Sequence, residues 1–155
     1  MADKVAILLQ RFRGDDVLRK IEFVLYCEKE IRLAVMEAKL CVAGHSGGCP
    51  TGHAYIADPT AVQAIRNSSE VLVVDIFGGK RLAFPERWLA LVDRLRAWAS
   101  SEPVTAGIFL DRYSHVSYQP TLDRLHISDW VYKDRLRKIR DKAKLIAAKM
   151  DLIDV

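Results

Sequence analysis

The chain has 155 residues, half of them hydrophobic and 28% charged, with a formal net charge of +4. That is the composition of a folded globular protein, enough for one domain or two small helical units. No apolar run approaches the length of a bilayer span, so no membrane partner is expected, and three cysteines, an odd and sparse set, point away from a disulfide scaffold and towards a reducing cytoplasm.

The first apolar patch, Val5 to Leu9, is short, soon followed by charges and lacks a small-residue cleavage site, so it reads as mature protein and not as a signal peptide. The opening dozen residues predict a short helix ending at Gly14. From Asp16 to Leu40 the apolar spacing is helical. Val17, Ile21, Val24, Ile31, Val35 and Ala38 share a face, with Glu28 as the exception and Leu18 and Leu25 widening it. No Pro or Gly interrupts, which predicts one long helix. Its stripe needs cover, either from the rest of the chain or from a second subunit in a homodimer.

Cys41 to Thr60 holds four Gly and two Pro and is expected to be a loop or hinge. Within it Cys41, His45, Cys49 and His53 recur at every fourth position. Such a Cys2His2 set could close tetrahedrally around a structural zinc ion, with no position left open for water. The competing reading is a polar loop, with Cys41 buried at a helix end, because the longer separation between ligand pairs of a standard finger is missing. Asp58-Pro59-Thr60 opens a helix, by a capping carboxylate followed by proline at the first helical position.

Residues 71–84 read as a β-hairpin around Gly78-Gly79, which must pack on helices to be stable. Pro85-Glu86 opens the next helix. Trp88, Leu89, Leu91, Val92, Leu95 and Trp98 give it a broad apolar surface, both tryptophans being expected in the core. Ser100-Ser101-Glu102-Pro103 ends it, and Val104 to Tyr113 forms a helix burying Ile108, Phe109 and Tyr113.

The last third carries the densest charge. From Arg124 to Lys149 nine Lys/Arg stand against three Asp, a net +6 in a chain that totals +4. A localised cationic helix can neutralise phosphates, whereas an evenly basic surface mainly aids solubility. Tyr132, Leu136, Ile139, Ala143, Ile146 and Met150 form one stripe; Trp130, Lys133, Asp134, Arg137, Asp141 and Lys144 lie opposite. Ser128 is a good N-cap, so the helix should begin near Asp129. Leu122, Leu125 and Ile127 supply a short apolar helix and turn before it. Together these predict a helix–turn–helix whose second helix enters the major groove of DNA. The bland alternative is a solvated basic surface helix.

No phosphate loop with a following Lys-Ser/Thr and no nucleophile elbow is present, so no catalytic residues are expected and the chain does not read as an enzyme. His115, near Ser114 and Ser117, reads as a solvated turn histidine.

Three stretches resemble the phage late-operon transcriptional activators of the RinA/ArpU type. They are Ile21-Glu22-Phe23-Val24-Leu25-Tyr26; Gly52-His53 followed by Ala57-Asp58-Pro59-Thr60-Ala61-Val62-Gln63-Ala64-Ile65; and Pro85-Glu86-Arg87-Trp88. After the third comes a C-terminal unit similar to region 4 of sigma factors, at Arg112-Tyr113 and Leu125-x-Ile127-Ser128. The likeness runs roughly over residues 17–145. Pro120 departs from it, standing where a sigma-like unit has uninterrupted helix, and implies a short supporting helix that starts at Pro120. The resemblance implies an activator of phage late genes, working in the host cytoplasm with host RNA polymerase.

The expected architecture is thus mainly α. Residues 1–100 would form a helical region with a small β-hairpin, serving oligomerisation or polymerase contact. Residues 101–155 would form the helix–turn–helix. Lys133 and Arg137 are the candidates for base edges, and Ser117, Arg124, Ser128, Arg135, Lys138 and Arg140 for phosphates. Trp130 either packs on the supporting helix or touches a base or sugar. Two other functions fit the same pattern: an adaptor that grips RNA polymerase, and a small terminase-type DNA packaging protein.

Overall fold

The computed structural model describes residues 16–44, 70–76 and 80–153. Within them the chain is mainly helical with one small hairpin: α1 (Asp16–Tyr26), α2 (Glu28–Gly44), β1 (Val73–Ile76), β2 (Lys80–Ala83), α3 (Pro85–Ala99), α4 (Pro103–Tyr113), α5 (Tyr118–Leu125) and α6 (Asp129–Lys149). The expected first short helix, the helix opened by Asp58 and the hairpin's turn residues 77–79 lie outside the described residues, as do His45, Cys49 and His53.

The described residues divide into two compact units. One holds 16–28 with 87–153, the other 29–44 with 70–76 and 80–86. This corrects the division at residue 100. α1 and most of α3 belong with the C-terminal helices, because α1 packs against α6 and Ile21, Val24 and Leu25 are buried there.

The single long helix over Asp16 to Leu40 is corrected as well. It breaks at Cys27, a turn residue that is itself buried. The break falls where the chain passes from one unit to the other. Continuous helical spacing kept no memory of that crossing, because each half satisfies the same period locally. The second half runs on to Gly44, so the first four residues of the expected loop, Cys41 to Gly44, are helical.

In the first unit the core consists of Ile21, Val24 and Leu25 of α1, Trp88, Leu91, Val92 and Leu95 of α3, Ile108 and Phe109 of α4, and the predicted stripe of α6. Tyr132, Leu136, Ile139, Ala143 and Ile146 are all buried, joined by Ala147. Trp88 is buried with Lys20 Nζ 4.8 Å from its ring centre, whereas Trp98 is only half-covered, under Lys142 Nζ at 5.7 Å. Gly107 lets α5 approach α4 closely: a Cβ there would stand 2.6 Å from Leu125 Cδ2.

The second unit contains the hairpin, antiparallel with Val74 opposite Leu82 and Asp75 opposite Arg81. Its alternation is legible: Val74, Ile76 and Leu82 are buried, and Asp75 and Arg81 form an exposed ion pair at 3.3 Å. Phe84 N–H donates to the Leu72 carbonyl at 2.8 Å, and Val71 N–H donates to Glu86 Oε2 at 3.1 Å. Lys39 Nζ of α2 donates to the other oxygen of Glu86. Glu86 thereby joins α2 to the hairpin's lead-in.

Partial burial acts to raise the Glu86 carboxyl, but the hydrogen bonds from Lys39 and Val71, with the charge of Lys39, outweigh it and hold it below its ordinary value. A depressed carboxylate stabilises the folded state above the unfolded-chain pKa and loses that contribution as pH falls through the lower folded value. The wild type should therefore lose protection of the Val71 amide on acidification to below the ordinary carboxylate range. Glu86→Gln should lower that protection at neutral pH and flatten its acid dependence, as read by pH-dependent amide exchange.

Candidate nucleic-acid interface

The C-terminal helices are joined by two turns of the same construction. At the end of α4, His115 is left-handed (φ 63°), its N–H donates to the Arg112 carbonyl, and Val116 N–H donates to the Asp111 carbonyl at 2.9 Å. At the end of α5, His126 is left-handed (φ 51°), its N–H donates to Asp123, and Ile127 N–H donates to Leu122 at 3.2 Å. Each is a Schellman stop, with an apolar residue just after the left-handed one. Histidine takes a place that glycine usually fills, at a backbone cost of roughly 1–2 kcal/mol. His115 is an exposed turn residue, as expected, and it also stacks on Tyr26, ring centres 5.6 Å apart.

α5 is short, as expected, but starts at Tyr118 with Ser117 as N-cap; Pro120 sits inside its first turn, where a missing N–H leaves no helical bond unmade. Ser117 offers no side-chain capping bond; its carbonyl accepts from the hydroxyl of buried Thr121 at 3.2 Å. Three residues, His126 to Ser128, then lead into α6. The Ser128 hydroxyl accepts from Val131 N–H, starting α6 at Asp129. The result is a helix–turn–helix with a three-residue turn.

The nine cations counted in the sequence are not equivalent. Arg140 Nε donates at 2.7 Å to Oε1 of Glu22, which is 0% exposed. Arg112 Nη2 lies 3.8 Å from the other Glu22 oxygen, and Tyr113 OH donates to Oε1 at 3.4 Å. Burial pushes the phenols of Tyr26 and Tyr113 up, with Glu22's charge adding to the effect. Burial alone would lower the Arg112 guanidinium, but Glu22 outweighs it and raises it. Arg135 grips Glu102 through both terminal nitrogens at 2.8 Å. Arg124 holds Asp111 at 2.8 Å. Three of the candidate phosphate ligands thus spend their charge on carboxylates outside the basic segment.

The remaining candidates face outwards. Lys133 is 71% and Arg137 74% exposed, each in a pair within α6: Lys133 with Asp129 at 2.7 Å, Arg137 with Asp134 at 3.1 Å. Lys138 also pairs with Asp134, at 2.9 Å. Such exposed pairs are weak, and a phosphate can displace them. Trp130 is 74% exposed, which corrects the expectation that it packs on the supporting helix. Trp130, Lys133 and Arg137 fall on one face of α6 at steps of three and four. What the sequence reading missed was Glu22. Its signal was present: a carboxylate between Leu18 and Leu25 on an otherwise apolar face.

Among the described residues no group of three or more His, Cys, Asp or Glu is placed to hold a metal ion. The zinc expectation at Cys41, His45, Cys49 and His53 rests on side chains outside the described set. No described helix is long and apolar enough to cross a membrane. No family model, curated protein or solved structure matches the chain.

Two stability outcomes follow. Glu22→Ala should destabilise the first unit by about 3–5 kcal/mol, because Arg140 and Arg112 would be left without their buried counter-charge; urea unfolding measures it. Ser128→Ala should cost about 1 kcal/mol by the same measurement, through loss of the cap of α6.

Proposed function

We propose that the chain binds double-stranded DNA sequence-specifically and regulates transcription. The observation that carries this reading is the three-residue turn that leads into a capped helix whose first turns present Trp130, Lys133 and Arg137 to solvent. A second helix projecting its N-terminal turns in this way is the geometry that reads base edges in the major groove. Lys133 and Arg137 take the base edges, and Lys138 and Ser128 the adjoining phosphates. The flat, exposed ring of Trp130 is available to a base or sugar. Arg140 anchors the helix from within, Arg135 ties it to Glu102, and Arg124 ties α5 to α4 through Asp111. In its finer form the reading is an activator of phage late genes that acts with host RNA polymerase, supported by the resemblances in its sequence.

A second reading has an observation of its own. Leu33, Met36 and Leu40 are exposed at steps of three and four along α2. An apolar stripe of that kind favours a protein partner, and an adaptor on RNA polymerase would use it.

Titrating the isolated protein with duplex DNA over a range of salt tests the first reading. The expected result is binding whose log–log salt slope is steep, by roughly 0.9 for each phosphate neutralised. Arg137→Ala should reduce discrimination between sequences by about 1–3 kcal/mol, whereas Arg140→Ala should lower the melting temperature first. Polymerase capture without any DNA binding by the protein alone would favour the adaptor.

A further inference from the structure

Each outward-facing cation on the first turns of α6 is held by a carboxylate of the same helix. The centre of this arrangement is Asp134. Its side chain is 17% exposed, lying beneath Arg137 Nη2 at 3.1 Å and Lys138 Nζ at 2.9 Å. The hydrogen bond from Lys138 leads the interactions that hold its carboxyl below the usual carboxylate range, so it stays charged at neutral pH. A helix built only to grip phosphates gains nothing from such a residue: it repels the backbone and occupies two of the three outward-facing cations on these turns.

A carboxylate is useful in a groove for a different reason. It accepts from the cytosine N4 amino group, as arginine donates in bidentate fashion to guanine O6 and N7. Its bond to Arg137 also favours one direction of the guanidinium, which lowers the ordering cost on binding.

Resting on the duplex-DNA reading above, we propose that Asp134 is a specificity-determining residue. It competes with phosphates for Arg137 and Lys138, which weakens generic contact, and, with Arg137, it directs the helix to a G·C base pair. On random DNA the two cations must leave Asp134 to reach phosphates. On the matching pair Arg137 keeps Asp134 while it reads guanine.

The test is selection from a short random-sequence duplex pool, with salt titrations on the unselected pool and on the enriched duplex. Wild type should enrich a sequence with an invariant G·C pair. Asp134→Asn should bind the unselected pool more tightly, steepen its salt slope by about one, and lose discrimination on the order of tenfold, with the G·C pair no longer invariant. Asp134→Glu, which keeps the charge, should retain most of the discrimination, and circular dichroism melting establishes that both variants are folded. An Asp134→Asn protein with the wild-type consensus, pool affinity and salt slope overturns the proposal while leaving DNA binding intact. A folded wild type that neither binds the pool nor enriches any sequence overturns the duplex-DNA reading itself.

Discussion

A charged carboxylate sealed inside a small helical unit is costly, and Glu22 is tolerated only because three helices meet around it. α1 supplies the carboxylate, α4 supplies Arg112 and Tyr113, and α6 supplies Arg140. Rings close the arrangement: Tyr26 meets Tyr113 edge-on at 5.1 Å, Arg112 lies 5.5 Å from the Tyr26 ring centre, and Tyr113 meets Phe109 at 5.1 Å. An apolar core of the same size would hold the helices together, but it would set their rotation less tightly. A hydrogen-bonded charge fixes direction as well as proximity. With Arg140 pulled inwards, the rotation of α6 about its own axis is set, and with it the outward direction of Trp130, Lys133 and Arg137.

The same interaction changes the meaning of the segment's charge. A net +6 describes a basic helix only while its cations are free. Glu22, Glu102 and Asp111 come in from positions 118, 33 and 13 residues away and take up Arg140, Arg135 and Arg124. What remains towards solvent on the first turns of α6 is a smaller, patterned charge in which Asp129 and Asp134 alternate with Lys133, Arg137 and Lys138. Such a surface is suited to reading position by position more than to attraction at a distance.

Legibility divided along the same line. The buried stripe of α6, its start at Ser128, the hairpin and the short proline-containing helix were all readable, because each follows from spacing or caps within a few residues. Whether Arg140 faces water or Glu22 depends on a partner 118 residues distant, and helical spacing carries no such information. The break at Cys27 was hidden for a related reason: both halves keep the period, and only the division between units marks the site. The left-handed stops at His115 and His126 were hidden because glycine is the usual signal for them.

On the proposed function, DNA meets the first turns of α6. Amide hydrogen exchange with and without duplex DNA measures it most directly. Added protection is expected to centre on Ser128 to Lys138 and to extend to the turn before it, with little change in the second half of α6. Protection confined to α2, or none in the presence of saturating duplex, would contradict it.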